Sequence, residues 1–138
     1  MTYNVYIASN LRHYQKWLNL PSDSLSGCLL VSTWPRVVEL VGILGDSDPK
    51  ITRRAWIMNI EDISDCDFLV VYGEDGEKLR GALVECGVAL AMKKPIVLCG
   101  DANWGTWINH PGVVPGASPT IEDATRCGKE YVEFLLCL

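Results

Sequence analysis

The order of apolar and amphipathic segments predicts an α/β fold, a doubly wound sandwich with a mostly parallel sheet of about five strands. Three observations lead to this prediction. Short apolar runs alternate with helical patterns throughout the 138 residues. The central run DFLVVY, residues 67–72, is almost wholly apolar, as in parallel strands that helices cover on both faces. There is no repeat, linker or change of composition, so we expect one domain over residues 1–138.

Each predicted element has a local signal. The strands are short apolar runs, expected at residues 4–8, 28–33, 67–72, 95–99 and, in shorter form, 113–114. The helices are expected at residues 11–20, 51–64, 81–92 and 119–136. Pro21 ends the first helix, because a residue before proline avoids the helical conformation, and Thr120 has a side chain suited to cap the last one.

Two segments between these elements have signals of their own. Ile57, Ile60 and Ile63 recur at spacings of three, which indicates a helix with one apolar face. Residues 36–50 are apolar at first but contain glycines and the run DSDP. For these residues we expect a mobile loop or a short helix that covers a site.

The predicted topology also predicts where a site would lie. Ligands of doubly wound sheets bind at the carboxyl ends of the strands. That edge is expected to collect Ser9-Asn10, Trp34-Pro35, residues 73–78 and the loop that starts at Gly100.

Composition excludes several classes of function. A net charge of -5 and a pI near 4.9 argue against a nucleic-acid polymer as partner, although backbone amides could still bind a small anion. Six cysteines without a CxxC pair and only two histidines make a metal site unlikely, and no phosphate-loop or dinucleotide motif implies a cofactor. Cys66, Cys86 and Cys99 have apolar neighbours and are expected to be buried thiols in a reducing compartment. With no leader or membrane span expected, we predict a cytoplasmic protein.

Glu85 is the most informative residue of the chain. It lies in GALVECG, residues 81–87, and an apolar stretch, residues 88–92, follows it. A buried carboxylate without a partner is costly, so such a group usually pairs, binds or reacts. The structural alternative is that Glu85 binds a neighbouring amide or pairs with an arginine.

Three segments in this order resemble the nucleoside 2-deoxyribosyltransferase superfamily, which includes the small 2'-deoxynucleoside 5'-phosphate N-hydrolases. They are YIAS at residues 6–9, a polar residue eight positions before Asp67, and GALVECG. The resemblance covers about residues 3–100 and implies a flavodoxin-like fold. It also implies that Glu85 attacks the anomeric carbon of a (deoxy)ribose, displaces the base and forms a glycosyl ester that water or a second base resolves. A homodimer or higher homo-oligomer is implied as well.

The resemblance assigns roles to further residues. Asn59 stands where many members carry an aspartate that holds the base or assists proton transfer. An amide can bind a base or a sugar hydroxyl but cannot act as an acid or base, and Asp62, one turn on, is the alternative if the register differs. Tyr6 and Ser9 fall where the family places ligand contacts, although Ser9 could simply cap a helix. Gly81 would let a ligand approach the helix closely.

Other candidate residues belong to the same predicted edge. Trp34 could stack on a base, and Asp75 could bind a ribose hydroxyl. Arg12 or Arg80 could contact a phosphate. The resemblance implies that the loop after the fourth strand helps form a dimer and lends residues to a neighbouring site, and Asn109 is its candidate for binding substrate. Trp104 and Trp107 of this loop suit such an interface, and His110 could act as an acid or base.

We therefore predict an enzyme that cleaves or transfers at the N-glycosidic bond of a small nucleoside or nucleoside 5'-monophosphate. The alternative is a nucleotide-binding or sensing module of the same fold, and a different N-glycosidic substrate such as a dinucleotide also stays open. Hydrolase or transferase, the base, and ribose or deoxyribose are left open by the sequence.

Overall fold

The computed structural model describes residues 2–42 and 48–138. Its five strands are β1 (Asn4–Ala8), β2 (Leu29–Leu30), β3 (Phe68–Gly73), β4 (Ile96–Gly100) and β5 (Val113–Ser118). Its α-helices are α1 (Tyr14–Leu18), α2 (Trp34–Val41), α3 (Pro49–Asp65), α4 (Gly81–Ala91) and α5 (Ile121–Leu136). Short 3-10 helices span Leu11–His13 and Thr106–Asn109. None of the helices in these two ranges is long and apolar enough to cross a membrane.

All five strands pair in parallel, in the order β2-β1-β3-β4-β5. This is the flavodoxin-like doubly wound order, which confirms the predicted fold class. Successive residues of β3 from Phe68 to Val71 are all fully buried, so both faces of the central strand are covered. The order reverses between β1 and β3, and a crevice opens there at the carboxyl ends of the strands.

Strand two is shorter than predicted, because its backbone ladder ends with the N–H of Val31, which donates to the carbonyl of Val5, and a side chain takes over at Ser32. Ser32 Oγ accepts the backbone N–H of Ile7 at 2.7 Å, at the point where a carbonyl of β2 would otherwise serve. Trp34 and Pro35 then begin α2 instead of ending a strand. Proline suits the first turn of a helix, since its missing N–H would have no partner there. Of the two structures expected for residues 36–50, a loop or a short helix, the protein forms a helix as far as Val41. Residues 43–47 of this segment lie outside the described residues.

Helix α3 forms where it was predicted, but the apolar face assigned to it is wrong. Ile63 is fully buried, whereas Ile57 and Ile60 are half-exposed. Residues three apart advance by about 300° around a helix, so the two steps from Ile57 to Ile63 move the side chain about 120° away from its first direction. The buried face of α3 instead carries Asn59 and Ile63, and it brings a polar side chain into the interior.

The other elements agree closely with the predictions. Thr120 caps α5 by accepting the N–H of Asp123 at 3.1 Å. Cys66, Cys86 and Cys99 are free, buried thiols. Strand β5 extends to Ser118, further than the two residues predicted, and pairs with β4 across an irregularity in register.

Gly100 allows the ends of β3 and β4 to meet. Its φ is +96°, and an added Cβ would lie 2.1 Å from the carbonyl oxygen of Gly73. We expect Gly100→Ala to lower the free energy of unfolding by several kcal/mol, because backbone strain of about 1–2 kcal/mol adds to a clash with a backbone atom. Urea titration would measure this loss.

The matched control is Gly116→Ala in β5. Gly116 has a similar φ of +85° but nothing within 4 Å of the added Cβ, so only the backbone strain should appear. Equal losses in the two variants would contradict the close approach at Gly100.

Candidate active site

A cavity of about 550 Å³ opens at the crevice between the ends of β1 and β3. Its walls come from the segment after β1, from α2 and α3, and from the start of α4. The apolar lining includes Leu11, Trp34, Val38, Ile51 and Trp56. The polar lining is Ser9, Asn10, Thr52, Asn59, Lys78, Arg80 and Glu85. A mainly apolar cavity with a few convergent polar groups is typical of a small-molecule site.

Three elements converge on the carboxylate of Glu85, which α4 places in the cavity wall. Tyr6 of β1 donates its hydroxyl to Glu85 Oε1 at 2.5 Å, and Asn59 of α3 donates Nδ2 to the same oxygen at 3.3 Å. Within the described residues, no side chain donates to Oε2. The carboxylate is thus fixed through one oxygen, and the other is left for a molecule in the cavity.

Burial changes how Glu85 titrates. The side chain is only 6% exposed, and the loss of water raises its pKa to about 7, although the hydrogen bond from Tyr6 acts in the opposite direction. The pKa of Tyr6 rises well above its usual value, chiefly through burial and secondly through the nearby negative charge. Tyr6 therefore stays protonated and acts as a donor, while Glu85 changes charge near neutral pH.

Of the structural alternatives considered for Glu85, the pairing with an arginine does not describe this arrangement, whereas an amide partner is present in Asn59. Its hydrogen-bond partners are a phenol and a side-chain amide, not a backbone amide or an arginine. Arg80 lines the same cavity and lies at the N-terminus of α4. A carboxyl group that lies in a cavity and has a pKa raised toward neutral is a common feature of functional sites.

Ser9 and Trp34 line the cavity with side chains that are already hydrogen-bonded. Ser9 Oγ accepts from Trp17 Nε1 at 2.8 Å and donates to the carbonyl of Asn10 at 3.0 Å. The helix cap considered for Ser9 is made by Asn10, whose side chain accepts the N–H of Arg12. Trp34 is 4% exposed and donates Nε1 to the carbonyl of Ile7 at 2.8 Å, so it forms part of the cavity wall.

Several predicted residues lie outside the cavity. Asp75, in the turn after β3, and Asn109, at the end of the second 3-10 helix, are exposed, and neither lines the cavity. Asp62 accepts the N–H and the hydroxyl of Thr33, so it fixes the start of α2 and does not replace Asn59. Arg12 pairs with Glu77 and Glu74 instead of facing the cavity.

The tryptophans of the loop after β4 are less exposed to solvent than the sequence suggested. Trp104 and Trp107 pack against the core and are only partly exposed. His110 Nδ1 accepts the N–H of Gly112 at 2.9 Å, which is a local turn contact.

Sequence reasoning missed two cavity residues, Trp56 and Lys78. Trp56 shares a helix face with Asn59 at a spacing of three, and this relation would have identified it. Lys78 lies in the polar loop that was expected at this edge, two residues before Arg80.

A cluster of charged side chains holds that loop in place. Glu77 accepts from Arg12 Nε at 2.8 Å, lies 3.0 Å from His13 Nε2, and accepts the backbone N–H of Glu74. The ligand atoms of His13, Glu74 and Glu77 lie within 4.8 Å of one another, a grouping that could hold a metal ion. Because these groups already pair with each other and with Arg12, the cluster is accounted for as the support of the loop that carries Lys78 and Arg80.

No protein-family model and no curated protein sequence matches this chain. Among solved structures, the chain is similar to the CMP N-glycosidase BcmB of Clostridium botulinum, with a TM-score of 0.54 and 19% sequence identity. The match covers 96% of this chain and 97% of that protein. The likeness shows a shared fold along nearly the whole length of both chains.

The raised pKa of Glu85 predicts how stability depends on pH. Between pH 4.5 and about 7 the folded chain keeps a proton that the unfolded chain has released, so its free energy of unfolding falls as the pH rises. Glu85→Gln removes this term while keeping the shape of the side chain. From pH 4 to pH 8, we expect the stability of Glu85→Gln relative to the native chain to increase by about 3 kcal/mol.

Urea titrations at several pH values would measure the difference. Glu130→Gln, at an exposed position of α5, is the control and should show no such trend. A pH-independent difference between Glu85→Gln and the native chain would contradict a raised pKa at Glu85.

Proposed function

We propose that this chain cleaves the N-glycosidic bond of a nucleoside 5'-monophosphate, with Glu85 as the nucleophile. The observation that carries the proposal is the carboxylate fixed through Oε1 by Tyr6 and Asn59, with Oε2 left for the cavity. The fold shared with a CMP N-glycosidase supports the same class of reaction. The resemblance of GALVECG to the deoxyribosyltransferase superfamily supports the same residue.

In the proposed reaction, Glu85 Oε2 forms a bond to the anomeric carbon as the bond from that carbon to the base nitrogen breaks. The electron pair of the broken bond leaves with the base, and a glycosyl ester remains. Water then attacks the anomeric carbon and loses a proton to solvent, while the bond from that carbon to Oε2 breaks and its electron pair returns to the Glu85 carboxylate. Among the described cavity residues, no carboxyl or imidazole group other than Glu85 is present, so the departing base takes its proton from solvent.

The start of α4 supplies features that suit a 5'-phosphate. Arg80, Gly81 and Ala82 line the cavity, and within residues 2–42 and 48–138 no side chain caps this helix end. The free N–H groups and the positive end of the helix dipole attract an anion, and Arg80 and Lys78 add two positive charges. Glu85 follows Gly81 by four residues, or about 6 Å along the helix, a separation comparable to that between the phosphate and the anomeric carbon of a nucleotide.

A second candidate function is nucleotide binding without turnover. The observation that favours it is Asn59, an amide at the position where an acid would assist the departing base. Tight binding of nucleotides in calorimetry without release of base over long incubation would select this function. Transfer of the sugar to a second base, instead of to water, would appear as a new nucleoside in the same assay.

Three further properties belong to this proposal. The chain acts as one domain, and the protein is cytoplasmic. It forms a homo-oligomer, for which the half-exposed Ile57 of α3 and Val84 of α4 offer an apolar surface. Light scattering of the purified protein tests the oligomer, and a monomer at all concentrations would remove it from the proposal.

The direct test is release of base, measured by chromatography, from a panel of nucleosides and their 5'-monophosphates. Native protein should release base, and Glu85→Gln should lose at least about a thousandfold in rate while staying folded, because an amide is not a nucleophile. The native kcat/KM should fall about tenfold per pH unit below 7, as Glu85 with its pKa of about 7 takes up a proton. Glu130→Gln is again the control, and undiminished release by Glu85→Gln would overturn the assignment.

The phosphate preference has its own test in Arg80→Gln. Loss of a charge-assisted contact should raise KM for a 5'-monophosphate by about 10- to 100-fold and leave the values for the matching nucleoside unchanged. Arg54→Gln, an exposed arginine of α3 outside the cavity, controls for the change in net charge. Equal effects of Arg80→Gln on nucleotide and nucleoside would show that Arg80 does not bind the phosphate.

A further inference from the structure

Asn59 has an acceptor that the protein does not use. Its Oδ1 is buried and finds no hydrogen-bond partner among the described residues. The other atom in this condition, Trp107 Nε1, belongs to a residue that does not line the cavity. An unpaired buried carbonyl oxygen costs about 1–3 kcal/mol, so a ligand that supplies a donor would gain affinity at this point.

The neighbouring carboxylate fixes which end of the amide is unused. Ionised Glu85 only accepts hydrogen bonds, so Asn59 must turn Nδ2 toward it, as the 3.3 Å contact shows. Oδ1, which is bonded to the same carbon as Nδ2, then lies on the side of the amide turned away from Glu85 Oε1. The site thus holds a nucleophile and, beside it, an acceptor that requires a donor from the substrate.

The stereochemistry of a nucleotide identifies that donor. Displacement of the base places the nucleophile on the face of the sugar opposite the base. In ribose, the 2'-hydroxyl lies on that same face and on the carbon next to the anomeric carbon. A group beside Glu85 on that face of the sugar therefore meets the 2'-hydroxyl first and the 3'-hydroxyl further away.

Resting on the proposed function, we propose that Asn59 Oδ1 accepts a hydrogen bond from the ribose 2'-hydroxyl and selects ribonucleotides over 2'-deoxyribonucleotides. Oδ1 has no exposed surface in the free chain, so the side chain rotates slightly as the hydroxyl enters. Asn59 is then a residue of substrate specificity that binds the sugar. It takes no part in proton transfer, because an amide does not titrate.

The experiment measures kcat/KM for ribonucleoside 5'-monophosphates and their 2'-deoxy counterparts with the same base. The 2'-oxygen itself slows cleavage, because it withdraws electrons from the developing cation. To remove this effect, the ratio of kcat/KM for the ribonucleotide to kcat/KM for the deoxyribonucleotide is measured in the native protein and divided by the same ratio in Asn59→Leu. We expect this double ratio to be about 10 to 100. Loss of the Nδ2 contact to Glu85 affects both substrates alike and cancels.

A second variant separates binding from a structural role. Asn59→Asp keeps an acceptor, so it should retain the ribo preference, while its added negative charge moves the acid limb of the pH profile to higher pH. A double ratio near one, or an Asn59→Asp variant without the preference, would overturn the proposal.

Binding of sugar phosphates tests the inference without any reaction and without reliance on a folded Asn59→Leu. Calorimetry should show that the native protein binds ribose 5-phosphate about 10- to 100-fold more tightly than 2-deoxyribose 5-phosphate, a comparison that needs no variant. Cleavage with a double ratio near one would leave the proposed function standing and refute this inference. Selective ribose 5-phosphate binding without any cleavage would refute the function and leave the inference standing, and equal binding of the two sugars would refute the inference.

Discussion

The removal of the Glu85 carboxylate from water is the constraint on which the site depends. Desolvation raises the pKa of this group to about 7, and the hydrogen bond from Tyr6 opposes part of that rise. Asn59 is a second neutral donor to the same oxygen, Oε1. Neither donor carries a charge, so the carboxylate stays basic enough to react. A salt bridge in the same place would have lowered the pKa and reduced its nucleophilic strength.

The sheet order makes that arrangement geometrically feasible. Strand β1 of the sheet carries Tyr6, and helices α3 and α4, which pack against the sheet, carry Asn59 and Glu85. The crevice at the point where strand order reverses then provides room for a ligand of nucleotide size. The pairing of Glu77 with Arg12 and His13 holds the loop before α4 against the first 3-10 helix. Lys78 and Arg80 of this loop thereby line the cavity.

Much of the fold and part of the site could be predicted from the sequence. Strands such as β1 and β3 are apolar runs buried on both faces, and their local pattern is enough to locate them. The start of helix α2 was missed, because a side chain of α3, Asp62, fixes it at Thr33 and no local signal reports a contact between residues so distant along the chain. The buried face of α3 was misjudged because isoleucines at spacings of three looked like an apolar stripe, although packing selected the face of Asn59.

By itself, the sequence determined the class of fold and drew attention to Glu85 as a candidate, because alternation of apolar runs and a carboxylate in an apolar segment are local properties. The resemblance to a known superfamily added Tyr6 and Asn59 as candidates. Only the tertiary structure decided that these two side chains bind the same carboxylate oxygen, and that Asp75 and Asn109 lie away from the cavity. The physical reason is that these two hydrogen bonds join residues that are far apart along the chain, 26 positions for Asn59 and Glu85 and 79 positions for Tyr6 and Glu85. Such bonds depend on how strands and helices pack, which local sequence patterns do not encode.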